Sequence, residues 1–185
     1  MNAAVAEKFE QFEWLTHGIT AKSPQFGDEG HSTGEKPLDY QDRLGAIASM
    51  DTQLEKSVTS VIVWGEQSKG DFEFIQNHLA NIMITNALSD NRREPDFITI
   101  SDLAKKVSWM VLMFGLDPDH EANFTAKGRL HLAAGVKTTE LTLKAYDRTW
   151  KQYENMMFIA LETSIKCAAE AVEKYRKNTY REAKI

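Results

Sequence analysis

Cysteine is almost absent. Cys167 is the only one in 185 residues, so no internal disulfide can form and no paired-cysteine metal site can be built. That usage fits a reducing compartment, and a cytoplasmic location is expected. Long apolar runs are missing too: nothing approaches the roughly 18 residues of a membrane span, so no membrane partner is expected. The opening Met1–Phe12 carries acids where a secretion leader has a basic and then an apolar stretch. Proline and glycine are both lacking between Thr138 and Arg181, which leaves that stretch without the usual helix breakers.

Catalytic and cofactor signatures are lacking as well. The chain has no G-x-x-x-x-G-K-[ST] phosphate loop, no G-x-S-x-G elbow and no H-E-x-x-H metal motif. The histidines, His17, His31, His78, His120 and His131, show no metal-ligand spacing. Asp117-Pro-Asp-His-Glu121 is the one dense polar cluster, and Asp followed by Pro reads as a helix start rather than a cation site. Cys167 lies beside alanines on an expected helix and reads as a packed thiol. The expectation is a non-enzyme with no cofactor and no metal.

What is present is enough for a core: 42% apolar residues, with nine Phe, four Trp and five Tyr, in a chain that fits one domain. The apolar residues recur at three- and four-residue spacing in nearly every segment, which predicts an all-α fold. Within it the chain divides into an N-terminal helix (1–21), a flexible Gly- and Pro-containing loop (22–38), an acidic helical section (39–124) and a basic C-terminal section (125–185). The acidic section should hold helices over Asp39–Met50, Gln53–Gln67, Asp71–Leu88 after Gly70, and Ser101–Phe114 ending at Gly115. Thr99-x-x-Asp102 resembles a capping box for the last of these. From Thr138 a single helix should run to about Arg181. Its stripe of Leu143, Tyr146, Trp150, Tyr153, Met157, Leu161, Ile165, Ala168, Val172 and Tyr175 has the mean step of about 3.6 residues that defines an α-helix. A helix of that length outreaches a small domain, so it either bends, with a break near Met156 as one place for it, or projects to meet a partner; Ala168, Ala169 and Ala171 on it permit a homodimer through this segment.

The stretch Thr125–Trp150 carries the functional expectation. It reads as two short helices joined at Gly135, which can take the positive φ of a tight turn. Thr138 would cap the second helix, and Leu141, Ala145 and Tyr146 would pack it on Leu130 and Ala134. This is the pattern of a helix-turn-helix, whose second helix lies in the DNA major groove. The DNA-facing residues would be Lys127, Arg129, Lys137, Thr138, Thr139, Thr142, Lys144 and Arg148, all hydrogen-bond donors to phosphates or base edges. A plain helical hairpin would produce the same pattern. The charge distribution favours the DNA reading. Residues 1–125 hold 10 basic and 20 acidic residues, net −10, and residues 126–185 hold 12 and 7, net +5, within an overall −5.

The order of features is similar to that of phage antitermination proteins of the Q type and related phage helix-turn-helix regulators. An aromatic first helix with Glu13-Trp14-Leu15 leads to a Ser23-Pro24 loop. Tyr40-Gln-Asp-Arg-Leu-Gly-Ala-Ile opens the acidic section, and Leu132-Ala-Ala-Gly-Val-Lys-Thr-Thr139 runs into the long helix. The resemblance covers about a third of the chain. It implies a protein that binds a DNA element near a late promoter, loads onto paused RNA polymerase and carries it through terminators. The Gly135 turn and the helix after Thr138 would read DNA, and the acidic half would face polymerase. The chain departs from the pattern at His131, where a small residue is usual, in its length beyond the motif, and in lacking a cysteine-pair zinc element. Two other classes fit the same features: a non-enzymatic inhibitor or adaptor whose acidic half binds a partner, and a DNA-packaging recognition subunit.

Overall fold

The computed structural model describes residues 3–16 and 40–182. The expected loop over 22–38 lies outside the described residues. Every described element is a helix, and no strand occurs among the described residues, so the fold is all-α.

Helix α1 spans Ala3–Thr16 and α2 spans Tyr40–Ala48. Helix α3, Gln53–Trp64, starts with a feature the sequence reading missed. Thr52 Oγ1 accepts from the Glu55 amide at 3.2 Å while Glu55 Oε2 accepts from the Thr52 amide at 3.4 Å, which satisfies two of the free donors at the helix start. A short 3₁₀ turn, Gly65–Gln67, then leads to α4, Lys69–Ser89. Gly70, expected to separate two helices, lies inside the first turn of α4, where the position is exposed and open.

Helix α5 spans Ile100–Leu116, with Thr99 as the expected cap: its hydroxyl oxygen accepts from the Asp102 amide at 3.0 Å. Gly115 does not stop α5. It lies within the helix, where a Cβ would sit 2.4 Å from a methyl of Leu161. Its missing side chain is a packing device that lets α5 approach the C-terminal helix. Asp117 accepts from the His120 amide at 3.0 Å and Pro118 opens the short α6, Pro118–Glu121, so the dense polar cluster begins as a helix cap.

The expected uninterrupted helix from Thr138 is a turn, a short helix α8 (Leu143–Thr149), a bend at Trp150 and a long helix α9 (Lys151–Glu182). Helix α9 is the axis of the molecule and packs against α1, α2, α3, α4 and α5. Its stripe of Tyr153, Met157, Leu161, Ile165, Ala168 and Val172 is buried to 2% exposure or less. Each such aliphatic side chain contributes about 1.5–3 kcal/mol by leaving water. Ala168 and Ala169 are buried in the same monomer core. The stripe behind the homodimer expectation is therefore used within one chain. Cys167, expected to be packed, is exposed on the opposite side of α9.

Tyr153 fastens this axis to the loop after α4. Its buried hydroxyl donates to Asp90 Oδ2 at 2.6 Å and accepts from Arg92 Nε at 3.0 Å.

Candidate nucleic-acid interface

The segment between α6 and α9 is short of apolar anchors, and its path is set by polar contacts. Thr125 Oγ1 accepts from the Gly128 amide at 3.1 Å and starts α7, Ala126–Gly128. The helix continues into a widened π turn, Arg129–Ala133, closed by the Ala134 amide on the Arg129 carbonyl at 2.9 Å. Gly135 follows at φ +68°, the left-handed conformation expected of it. His131, at the position where helix-turn-helix motifs carry a small residue, holds the turn instead: its Nδ1–H donates to the Val136 carbonyl across 2.7 Å.

Beyond Gly135 the chain departs from the expected helix start. Glu140 Oε2 accepts from the Lys137 amide at 2.9 Å and from Lys106 Nζ of α5 at 2.7 Å. These bonds, Lys106 first, hold the Glu140 carboxyl below the usual carboxylate range. They also fold residues 138–140 into a turn, so Thr138 caps nothing and the helix begins five residues later than Thr138. The cap is Thr142, whose Oγ1 accepts from the Ala145 amide at 3.3 Å. Leu141 and Tyr146 face inward as expected, whereas Ala145 is exposed.

A buried carboxylate ties the segment to the axis. Glu154 is 1% exposed and accepts from three side chains: Arg129 Nη2 at 2.9 Å, Lys151 Nζ at 2.6 Å and the Tyr146 hydroxyl at 2.6 Å. Arg129 also pairs with Glu121 and lies over the rings of Phe114 and Phe158 at 5.4 and 5.6 Å. Burial, reinforced by the Glu154 charge, pushes the Tyr146 hydroxyl far above its ordinary range, so it stays a proton donor. Tyr146 and Glu154 are eight residues apart, about 12 Å along a straight helix. The bend at Trp150 brings α8 back toward this carboxylate.

The expected DNA-facing residues divide accordingly. Lys127, Lys137, Thr138, Thr139, Thr142, Lys144 and Arg148 are exposed. Lys144 and Arg148 are four apart on α8 and share a face. Among the described residues none of these four cations enters an ion pair. Asp147 is the one acid on α8. Arg129 does not join this surface: its guanidinium is committed to Glu154, Glu121 and two rings, and its side chain is 22% exposed. Arg129 is thus an internal clamp. Lys151 is likewise drawn to Glu154.

Glu154 is the residue that sequence reading missed. A signal for it exists: it falls four residues after Trp150 and three before Met157, inside an apolar stripe. A charge in a buried row needs partners brought from elsewhere in the chain. Compared with family models, with curated proteins and with solved structures, the chain matches none of them.

Proposed function

We propose that the protein is a non-enzymatic DNA-binding regulator that meets DNA with the Lys137–Arg148 turn and α8. The observation that carries this reading is the sorting of charge in that segment. The acids Glu140 and Glu154 and the cation Arg129 are consumed by internal bonds, while Lys127, Lys137, Lys144 and Arg148 stand in solvent with Thr138, Thr139 and Thr142 among them. Outward cations interleaved with hydroxyl donors suit a phosphate backbone and base edges. The likeness to Q-type antiterminators extends the proposal to RNA polymerase, with the acidic N-terminal half as the part that would face it.

The test is duplex binding followed by fluorescence anisotropy across a salt series. The double variant Lys144→Ala, Arg148→Ala should bind more weakly, with its slope of log affinity against log salt flatter by about 0.9 for each phosphate it no longer neutralises. Thr139→Ala should narrow the difference between specific and random DNA. In a reconstituted transcription reaction the wild-type chain should raise terminator read-through. No duplex binding by the wild-type chain at low salt, together with no change in read-through, would overturn the proposal in favour of a protein-binding adaptor.

A further inference from the structure

A cavity of about 320 Å³ opens between the α2–α3 corner and the second half of α9. It lies away from the candidate DNA surface: Cys167 on its wall is about 24 Å along α9 from Lys151. Its aromatic wall is fixed in place. The Tyr175 ring packs on Trp14 with centroids 6.3 Å apart, and its hydroxyl end fills the space over Gly45, where a Cβ would collide with it. Three carboxylates line the same space, Asp51, Glu55 and Glu170, together with one cation, Lys174. Among the described residues none of these four enters an ion pair. Asp51, Glu170 and Lys174 are exposed, and water carries their charge. Glu55 is only 8% exposed, and one of its two oxygens is used: Oε2 accepts from the Asp51 amide at 3.1 Å and the Thr52 amide at 3.4 Å. Oε1 accepts nothing from the described residues, yet it is not sealed from solvent. Capping α3 therefore accounts for half of this carboxylate. The other half is a nearly buried acceptor on a cavity wall, and such a group calls for a donor.

We propose that this cavity binds a small organic dication, an alkyl diamine. Charge selects the sign of the ligand: three carboxylates against one ammonium leave an excess of two negative charges. Their arrangement selects its shape. Among the described residues no three His, Cys, Asp or Glu side chains come together as a metal site, so the carboxylates are spread along the walls instead of converging. Two separated ammonium groups match that spread. One brings N–H donors to Glu55 Oε1. The Ser49 hydroxyl, on the same wall, gives its own proton to the Ala46 carbonyl at 2.7 Å and keeps its oxygen free to accept another. The Tyr175 ring offers a π face to an alkylammonium. The volume is that of roughly ten waters, room for a short carbon chain and far more than a bare ion fills. None of this depends on the DNA reading.

The experiment uses the full chain without DNA, so its outcome is separate from the duplex test. Cys167 is the reporter, because it is the sole cysteine, exposed and on the cavity wall. Its reaction with methyl methanethiosulfonate, a small neutral thiol reagent, is timed with three probes. These are 1,4-diaminobutane, the uncharged 1,4-butanediol, and magnesium chloride at matched ionic strength. At ten times its dissociation constant the diamine should slow the reaction about tenfold and raise the melting midpoint by roughly 3–6 °C. Neither control should do so. Glu55→Gln keeps an oxygen for the two amides, since glutamine also serves in a capping box, and removes the charge. It should weaken diamine binding about tenfold, as should Glu170→Gln on the exposed side of α9. Lys174→Met removes the competing ammonium and should tighten binding. The proposal is overturned if the diamine neither protects Cys167 nor raises the midpoint, or if butanediol or magnesium protects equally well. It is also overturned if Glu55→Gln, with a wild-type midpoint, binds the diamine as wild type does, or if Lys174→Met binds it less tightly. Should Glu55→Gln fail to fold, Glu170→Gln decides alone: undiminished binding there overturns the proposal.

Discussion

Two stretches of the C-terminal third are held by different forces. Along Lys151–Val172 the chain is fixed by an apolar row, with a buried residue every three or four positions and neighbours from five other helices. Along Ala126–Thr149 only Leu130, Ala134, Val136, Leu141 and Tyr146 are buried. Orientation there comes from a few directed bonds: Arg129 and Tyr146 on Glu154, Lys106 on Glu140, and His131 on the Val136 carbonyl. Apolar burial is strong but non-directional, and it suits an axis that has to be surrounded. A segment that keeps its cations in water cannot be surrounded. Anchoring at a few polar points leaves the opposite side open.

The division can be broken from either end. The largest effect should come from Trp150→Ala. Trp150 is 2% exposed at the bend between α8 and α9, and its truncation should cost about 3–5 kcal/mol in urea unfolding. Amide protection should fall across the whole bundle. Glu154→Ala should come next, at about 3 kcal/mol, because Arg129, Lys151 and Tyr146 lose their shared acceptor. Here hydrogen exchange should rise first in 126–149 and spread to α9 later. If Glu154→Ala loosens both stretches to the same degree, the contrast between apolar axis and polar latch is wrong.

The same contrast explains what can be read from the sequence. The α9 stripe is legible because burial imposes the 3.6-residue period directly on residue type, and all of Tyr146 through Val172 in that stripe is buried. Caps with the side chain three residues from its target amide are legible at Thr99 and Asp117, where Asp102 or a following proline marks the start, whereas the equally local Thr52–Glu55 box is passed over. The second helix of the candidate site is misplaced by sequence alone because its start depends on Lys106, a residue 34 positions before Glu140. Thr138 and Thr142 are equally good caps by type, and Glu140, held by Lys106 and by the Lys137 amide, decides between them. Arg129 falls on the expected DNA surface for a similar reason: its partner Glu154 lies 25 residues away and has no local signature apart from its place in the stripe. Gly115 and Gly70 read as breaks because glycine in a sequence does not reveal whether it serves a turn, a close approach or neither.

Smaller changes sharpen the comparison. Thr142→Ala removes the α8 cap and should cost about 1 kcal/mol. Because α8 is held locally, the loss should appear as faster exchange at residues 143–149, with the unfolding midpoint of the bundle little changed. A shift of the global midpoint by as much as Trp150→Ala produces would mean that α8 and the axis unfold as one unit.

The smallest effect should be a dependence on acid at the turn. The bonds from Lys106 and from the Lys137 amide hold the Glu140 carboxyl below its ordinary value of 4.5. A carboxyl whose value is lowered by folding contributes stability above that ordinary value and loses it as pH falls through the lowered one. Between neutral pH and about 5 the turn should therefore be constant. Below that it should loosen as Glu140 is protonated and Lys106 loses its acceptor. Amide exchange at residues 137–141, corrected for the intrinsic pH dependence, reads this directly. Glu140→Gln should be looser than wild type at neutral pH and should lack the further change on acidification. Lys106→Ala should behave alike, since it removes the larger cause of the lowered value. A turn that is as well protected in Glu140→Gln and in Lys106→Ala as in wild type at neutral pH would show that the Lys106–Glu140 bond does not hold the turn. The link from α5 to the candidate DNA surface would then be lost.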